Sequence, residues 1–252
     1  MEKSKLISLV TYYNFVQLLG IIIIIMVLFL LGTNIMMIIL HTEYAMAFTA
    51  NDFLIQNTSL FIDRSKIIHV YGEVKNISDK AMTNIVVKAI FYNANGKPLD
   101  EFQRSSELHT INPGETSPFE ILYINTKTVN SVKDFKLSAS GTVIEESKPI
   151  VLKVQPDNSR LDILGFYYIN GRILNGGPLT ATDSSVIATL YDREGKVIAI
   201  ARALAEPVNI GPDSEAAFGL AVTEKLQTHK IKSYSLIAES DQYVSLPVLL
   251  SK

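Results

Sequence analysis

The sequence predicts a mainly β protein, in which an N-terminal transmembrane helix is followed by two tandem antiparallel β-sandwich domains. Three observations lead to this fold class: an apolar run near the start, an internal duplication with a constant offset of 99 residues, and short alternating segments separated by turn residues. The predicted domains are a membrane anchor at 1–47, a first sandwich at 48–156 and a second at 157–252.

The apolar run extends from Leu18 to Leu40 and is almost free of polar residues. At a helical rise of about 1.5 Å per residue it is long enough to cross a hydrocarbon core of about 30 Å. Lys3 and Lys5 precede the run, and no further lysine or arginine follows it until Arg64. This asymmetry predicts a single-pass protein of the cell membrane, with a cytoplasmic N-terminus and extracytoplasmic domains.

A cleaved signal peptide is the alternative to a retained anchor. Residues 45–47 read Ala-Met-Ala, which fits a cleavage site after Ala47. Secretory signals, however, have apolar regions of about 7 to 15 residues, and this run is longer. The comparison favours a signal anchor, and both alternatives predict that the rest of the chain is exported.

The duplication centres on residues 86–97 and 186–196. In each copy an apolar run ends in a tyrosine, followed by Asn or Asp and then by a Gly-Lys pair. This pattern predicts hairpins closed by Gly96 and Gly195 at positive φ, where valine would be strained. Gly141 lies outside the matched segment, so valine is expected to be better tolerated there.

The copies match without insertion from Gly72 to Ala139. The best matched pairs are Gly72 with Gly171, Asn76 with Asn175, Pro113 with Pro212, and Phe119 with Phe218.

Alternation of apolar and polar residues predicts the strands of the first copy. Ile68, Val70 and Val74 fall on an inward face, whereas His69, Tyr71 and Glu73 fall on the outward one. Further strands are expected at 85–91, 99–104, 119–123, 135–139 and 150–154.

The second copy repeats this plan, with strands expected at 163–174, 185–191, 197–203, 217–222 and 233–238 and a short helix at 223–230. Residues 155–159, Gln-Pro-Asp-Asn-Ser, have turn-forming composition and predict the boundary between the domains. An offset of 99 residues is the length of a complete small sandwich, which favours two domains over a solenoid.

Composition excludes several functional classes. The 23 basic and 25 acidic residues give a net charge of −2 without a basic cluster, which argues against nucleic acid binding. Cysteine is absent from the sequence, so disulfides, thiolate metal sites and cysteine nucleophiles are excluded.

Several segments resemble FxLYD domains, immunoglobulin-like modules of bacterial and archaeal surface proteins. The eponymous strand is similar to residues 188–192, Ala-Thr-Leu-Tyr-Asp, and more loosely to residues 89–93, Ala-Ile-Phe-Tyr-Asn, with alanine in place of the leading phenylalanine in both. Residues 70–76 resemble the opening strand of the family, and residues 112–115 with Phe119 resemble its later turn and strand. The resemblance implies two immunoglobulin-like sandwiches in an exported binding or structural module, without assigned catalysis.

No sequence pattern predicts a catalytic, cofactor or metal site. The four histidines lie at least 28 residues apart, so local ligand spacing is missing. Asp192 and Glu194 could contribute to a calcium site in the second hairpin, but a solvated turn is the favoured interpretation because the first copy has Asn93 and Asn95 there. Six strand tyrosines could line a binding face, although core positions are favoured: Tyr71, Tyr92, Tyr123, Tyr167, Tyr168 and Tyr191.

Asn57 and Asn76 fit the sequon for N-glycosylation, which is a frequent chance pattern. For Asn76 a structural role is the alternative, since its counterpart Asn175 lacks the sequon and both residues begin a turn.

The sequence thus predicts a membrane-anchored binding or structural protein that contacts a protein or glycan outside the cell, without a cofactor and without catalysis. Two alternatives stay open at this point. One is a secreted adhesion module, and the other is an enzyme or metal-binding protein with a site in the groove between the domains.

Overall fold

Strands dominate the part of the chain that the computed structural model describes, residues 52–251. The first half contains β1 (Phe53–Ile62), β2 (Ile68–Asn76), β3 (Ala81–Tyr92), β4 (Pro98–Ser105), β5 (Thr110–Ile111), β6 (Thr116–Tyr123), a 3-10 helix (Val129–Ser131) and β7 (Asp134–Ile144). The second half contains β8 (Ile150–Leu161), β9 (Tyr167–Asn175), β10 (Ser185–Tyr191), β11 (Val197–Leu204), β12 (Glu215–Val222), α1 (Lys225–Thr228), β13 (Ser233–Glu239), β14 (Val244–Ser245) and β15 (Val248–Ser251).

The predicted fold class, a transmembrane helix followed by two antiparallel sandwiches, needs correction. The described chain is mainly β and its α-helix is one short turn. Within residues 52–251 no helix has the length and apolar character needed to cross a membrane. The predicted span at 18–40 and the alternative cleavage site after Ala47 both lie outside the described residues.

The first half is a sandwich of two sheets. One sheet has the order β1-β2-β6, and the other has the order β4-β3-β5 with β7 also paired to β3. All strand pairs in this half are antiparallel, and the inward residues predicted on β2 are buried. The alternation in the sequence therefore identified the correct inner face of β2.

The second half differs from the predicted pair of separate antiparallel sheets. Its strands form one continuous eight-stranded sheet in the order β11-β10-β13-β14-β8-β9-β12, with β15 paired to β13. The short strand β14 makes the connection, because it pairs antiparallel with β13 and parallel with β8. Residues 244–245 contribute too few positions to show a periodic pattern, which explains why the sequence did not reveal them.

Equivalent side chains fill the two cores. Phe119 is fully buried in the first half, and Phe218 is 5% exposed in the second. A Cβ added to Gly72 would lie 2.6 Å from Phe119 Cζ, and a Cβ added to Gly171 would lie 2.7 Å from Phe218 Cζ. Both positions require glycine because each phenylalanine ring packs directly on the backbone of the neighbouring strand and leaves no room for a Cβ.

Asn76 and Asn175 carry the same hydrogen bonds at the start of equivalent turns. Asn76 Nδ2 donates to the carbonyl oxygens of Lys80 and Ile111, at 2.7 and 3.0 Å. Asn175 Nδ2 donates to those of Leu179 and Ile210, both at 2.8 Å. Each acceptor in the second half lies 99 residues after its counterpart in the first, so the duplication is retained in individual hydrogen bonds.

The duplication also includes loops whose residue types differ. Residues with φ between about 50° and 86° occur at equivalent positions in both halves. The pairs are Lys66 with Gly165, Asn84 with Asp183, Gly96 with Gly195, and Gly114 with Asp213. The amino acids differ in three of these four pairs, so turn geometry is retained where residue type is not, and the pair Lys66 with Gly165 extends the match before Gly72.

The expected boundary at residues 155–159 lies inside β8. This strand pairs with β9 along its length and with β14 only near its start, so its other edge is free at Pro156. Proline is accommodated on such an edge, and a register shift lies between Pro156 and Asn158. We therefore divide the described chain before Ile150, where β8 begins as the counterpart of β1.

Candidate binding cavity at the junction of the two halves

The two halves pack together through the outer faces of two sheets. Ile187 on β10 and Ile237 on β13 are 0% and 5% exposed, and with Val244 they belong to the apolar cluster of the first half. The described residues, 52–251, accordingly belong to one compact unit. Because the junction is apolar and buried, it resembles the interior of a domain more than a flexible connection.

Glu73, which is only 7% exposed, joins the halves through its hydrogen bond with Tyr191. Its Oε1 accepts a hydrogen bond from the hydroxyl of Tyr191 at 2.6 Å, and its Oε2 accepts one from Asn57 Nδ2 at 2.6 Å. Burial raises the pKa of Tyr191, and the adjacent Glu73 carboxylate raises it further, so the tyrosine stays a donor. The outward face of β2 is thus part of the junction instead of facing solvent.

A second buried carboxylate, Glu239, holds the other side of the junction. It is 2% exposed and accepts hydrogen bonds from the backbone N–H groups of His109 and Thr110. The ammonium of Lys148 lies 2.7 Å from its Oε1, and Arg202 Nη2 lies 3.6 Å from its Oε2. These cations compensate the burial of Glu239, as a buried carboxylate requires.

The junction contains a cavity of about 550 Å³, and Glu73 is one of the residues that line it. The walls from the first half are formed by β2, the turn at 112–116 and β6. The walls from the second half are formed by β10, β13 and the segment at 246–249. The residues that line it are Glu73, Asn112, Pro113, Gly114, Glu115, Thr116, Pro118, Ile150, Thr189, Tyr191, Ser235, Ile237, Leu246, Pro247 and Leu249.

The rim of the cavity is apolar and exposed. Ile150, Leu246 and Leu249 are 48%, 61% and 72% exposed, although each is a large aliphatic side chain. Single exposed leucines are ordinary on protein surfaces, whereas three around one cavity are a contiguous apolar patch. Such a patch is typical of a ligand-binding opening.

His69, also on the outward face of β2, forms a separate polar cluster. Its Nδ1 lies 2.7 Å from Glu120 Oε1, and its Nε2 lies 3.5 Å from Asp63 Oδ2. The hydrogen bond with Glu120 raises the pKa of His69. Burial alone would raise the pKa of Glu120, but hydrogen bonds from His69 and Tyr71 lower it.

The predicted hairpin residues lie at the expected turns. Gly96 and Gly195 have φ of 71° and 76°, and each follows a tyrosine-ending strand. Gly141 differs from expectation, because an added Cβ would lie 2.9 Å from Phe53 Cζ. The residue is confined by packing, which the sequence comparison could not show.

The candidate calcium residues lie in the second hairpin. Asp192 Oδ1 accepts hydrogen bonds from the N–H groups of Glu194 and Lys196 at 3.0 and 2.8 Å. Asn93 Oδ1 accepts the equivalent pair in the first half. Lys230 and Lys232 line the same depression as the two acidic residues. Among residues 52–251, no group of three or more His, Asp or Glu side chains is arranged to hold a metal ion.

The two sequon asparagines differ in their surroundings. Asn76 is fully buried and its Nδ2 is occupied by two hydrogen bonds, which favours its structural role. Asn57 is exposed but donates its Nδ2 to Glu73 at the junction. Glycosylation at either residue stays a prediction.

Of the candidate tyrosines, the junction cavity contains Tyr191. Tyr123 and Tyr167 belong to the two cores, as favoured from the sequence. Sequence reasoning missed Glu73, Glu115 and Ile237 as cavity residues, because alternation assigns a face to a residue but not the partner of that face.

Comparisons with solved structures find matches of low sequence identity and low TM-score. No family model matches the chain, and no curated protein matches its sequence. Red sea bream transglutaminase is 12% identical with a TM-score of 0.28, over 79% of this chain and 31% of that one. An exo-chitosanase of Amycolatopsis orientalis is 11% identical with a TM-score of 0.30, and the match covers 78% of this chain and 26% of that one. A beta-glucosidase of Kluyveromyces marxianus is 6% identical with a TM-score of 0.25, and the match covers 77% of this chain and 47% of that one. The chain spans less than half the length of each.

Proposed function

We propose that the two halves form a non-catalytic binding module whose ligand site is the junction cavity. The observation that carries this proposal is a cavity of about 550 Å³ lined by residues of both halves. Its volume falls within the range of about 300 to 1,000 Å³ that is typical of small-molecule sites. A junction between domains is also a preferred location for such sites.

The chemistry of the lining supports binding over catalysis. Apolar side chains surround a few convergent polar groups, which is the composition of sites that orient a ligand. Within the described cavity lining, the two carboxylates accept hydrogen bonds from Tyr191, Asn57 and Asn112 rather than from a histidine or a serine. An enzyme in this groove is the competing hypothesis, and detectable turnover of a bound ligand would favour it.

The site is tested by filling the cavity. Ser235 lines it, whereas Ser233 lies two residues away on the same strand and outside the lining. We expect n-hexylammonium or 1-hexanol to bind the full chain in saturation-transfer NMR, S235F to abolish that signal, and S233F to retain it. Absence of binding by both probes, or binding unaffected by S235F, would overturn the proposal.

The location of the module outside the cytoplasm is also part of the proposal. It rests on the lysine asymmetry at the start of the sequence. Protease treatment of intact cells should degrade residues 52–251, and complete protection would contradict an extracytoplasmic location. The resemblance to FxLYD domains and a protein or glycan as the natural partner stay predictions.

A further inference from the structure

The junction cavity carries an uncompensated negative charge. Two of its lining residues are carboxylates, Glu73 and Glu115, and among the described residues that line it there is no lysine, arginine or histidine. Buried or half-buried carboxylates normally have a cationic partner or a full set of hydrogen bonds. The arrangement therefore leaves a charge that a ligand could balance.

Glu73 retains capacity to accept further hydrogen bonds. A carboxylate offers about four acceptor positions. The hydroxyl of Tyr191 and the amide of Asn57 use one position on each oxygen, and Gln56 Nε2 makes a longer contact of 3.5 Å. These donors are neutral, so they orient the carboxylate without removing its charge.

Glu115 is held in a similar way by Asn112. The backbone N–H and the Nδ2 of Asn112 donate to its two oxygens at 3.0 and 3.2 Å. Lys148 is the cation that acts on Glu115 electrostatically, but its ammonium is bound to Glu239 Oε1 and to the carbonyl of Ser240, both at 2.7 Å. Lys148 thus pairs directly with Glu239 and makes no ion pair with either carboxylate of the described cavity lining.

The rest of the lining favours an apolar ligand body. Ile237 forms part of the wall, and Leu246 and Leu249 stand exposed at the rim. Burial of aliphatic surface contributes about 25 cal/mol per Å² removed from water. A ligand that matches this cavity therefore combines an apolar chain with a positively charged group.

We infer that the cavity binds a small organic cation, namely a primary ammonium group on an apolar chain, with Glu73 and Glu115 as its acceptors. An ammonium group has three donors and no acceptor, which suits two carboxylates that both keep free acceptor positions. This inference rests on the proposed function, since it names the ligand class of the same cavity.

Three probes with the same six-carbon chain test the charge preference directly. Isothermal titration of the full chain with n-hexylammonium, 1-hexanol and hexanoate at mildly alkaline pH compares a cation, a neutral molecule and an anion. We expect n-hexylammonium to bind at least about tenfold more tightly than 1-hexanol, a difference of about 1.4 kcal/mol. Hexanoate should bind most weakly of the three. Equal affinities, or a preference for hexanoate, would overturn the inference.

Matched variants assign the preference to the cavity. E73Q and E115Q keep the size of each side chain and remove its charge, and E146Q makes the same change at an exposed residue outside the lining. We expect E73Q and E115Q each to reduce the preference for n-hexylammonium over 1-hexanol, and E146Q to retain it. A preference that persists in the E73Q/E115Q double variant would contradict the inference.

Two outcomes separate this inference from the proposed function. If 1-hexanol binds and S235F abolishes its binding, the cavity is a binding site even where the charge preference is missing. If E73Q disturbs the junction, its thermal unfolding midpoint will fall, and E115Q then carries the test, because Glu115 bonds within its own half.

Discussion

Strands β2 and β9 occupy the same position in the two halves, yet their outward faces have opposite environments. On β2 this face carries His69, Tyr71 and Glu73, and Glu73 is 7% exposed at the junction. The equivalent position on β9 is Arg172, which is exposed and pairs with Asp157 and Glu215. The inward residues specify the repeated fold, whereas the outward residues specify how the halves associate.

The strands that face β2 across the junction show the complementary difference. Ile187, Ile200 and Ile237 pack against the first half, and Ile187 is fully buried. The residues at the equivalent positions in the first half are polar: Lys88, Glu101 and Ser138. Where one copy has apolar residues at positions that are polar in the other copy, those residues therefore identify the surface of the second half that the first half covers.

The largest loss of stability is expected when a residue is exchanged between the equivalent faces of the two halves. I187K introduces at the junction the residue type found at position 88, and we expect it to reduce the free energy of unfolding by about 3 to 5 kcal/mol, because the charge would be buried without a partner. K88I is the control and should change stability by less than about 1 kcal/mol, since Lys88 makes only a surface pair with Glu101. Urea denaturation of the full chain measures both, and equal effects would contradict the assignment of the faces.

A second test asks whether the repeated turns are energetically equivalent. N76A and N175A each remove an amide that donates to two backbone carbonyl oxygens, one of which belongs to a buried residue, Ile111 or Ile210. We expect each to cost about 1 to 3 kcal/mol for the acceptors left without a donor. The two losses should agree closely, and a loss confined to one half would show that the duplication is geometric but not energetic.

Much of the fold could be predicted from the sequence, because alternation and turn residues are local signals. The inner face of β2 and the turns at Gly96 and Gly195 followed from such patterns. The cavity could not be predicted in this way, because Glu73 is an outward polar residue whose partner lies 118 positions away. A signal for the junction was nevertheless present in the duplication, because the aligned copies place Ile187 opposite Lys88.

The glycine positions test local conformation against packing. G96V and G195V should each cost about 1 to 3 kcal/mol through backbone strain, since both residues have positive φ and open space around them. G141V should cost a similar amount through overpacking against Phe53, and not less as the sequence comparison suggested. Thermal unfolding of double variants distinguishes the causes, because F53A should relieve the cost of G141V and leave the costs of G96V and G195V unchanged.

The smallest expected effect is a pH dependence confined to the first half. The raised pKa of His69 contributes stability that is present below pH 6.5 and is lost as the pH rises through the folded-state value. The lowered pKa of Glu120 contributes stability that is present above pH 4.5 and is lost as the pH falls. The difference in unfolding free energy between the wild type and H69Q should therefore be greatest between these limits. Y168Q, at the equivalent position on β9, should show a difference that does not vary across this range.

The central claim is that the junction makes the two halves one cooperative unit. Tryptophan is absent from the sequence, so Y92W in the first half and Y168W in the second would each provide a single fluorescent probe. Urea unfolding of the full chain, followed separately through each probe, should give coincident midpoints that I187K lowers together. Two separate midpoints, with only the second half affected by I187K, would contradict the account and show that the halves unfold independently.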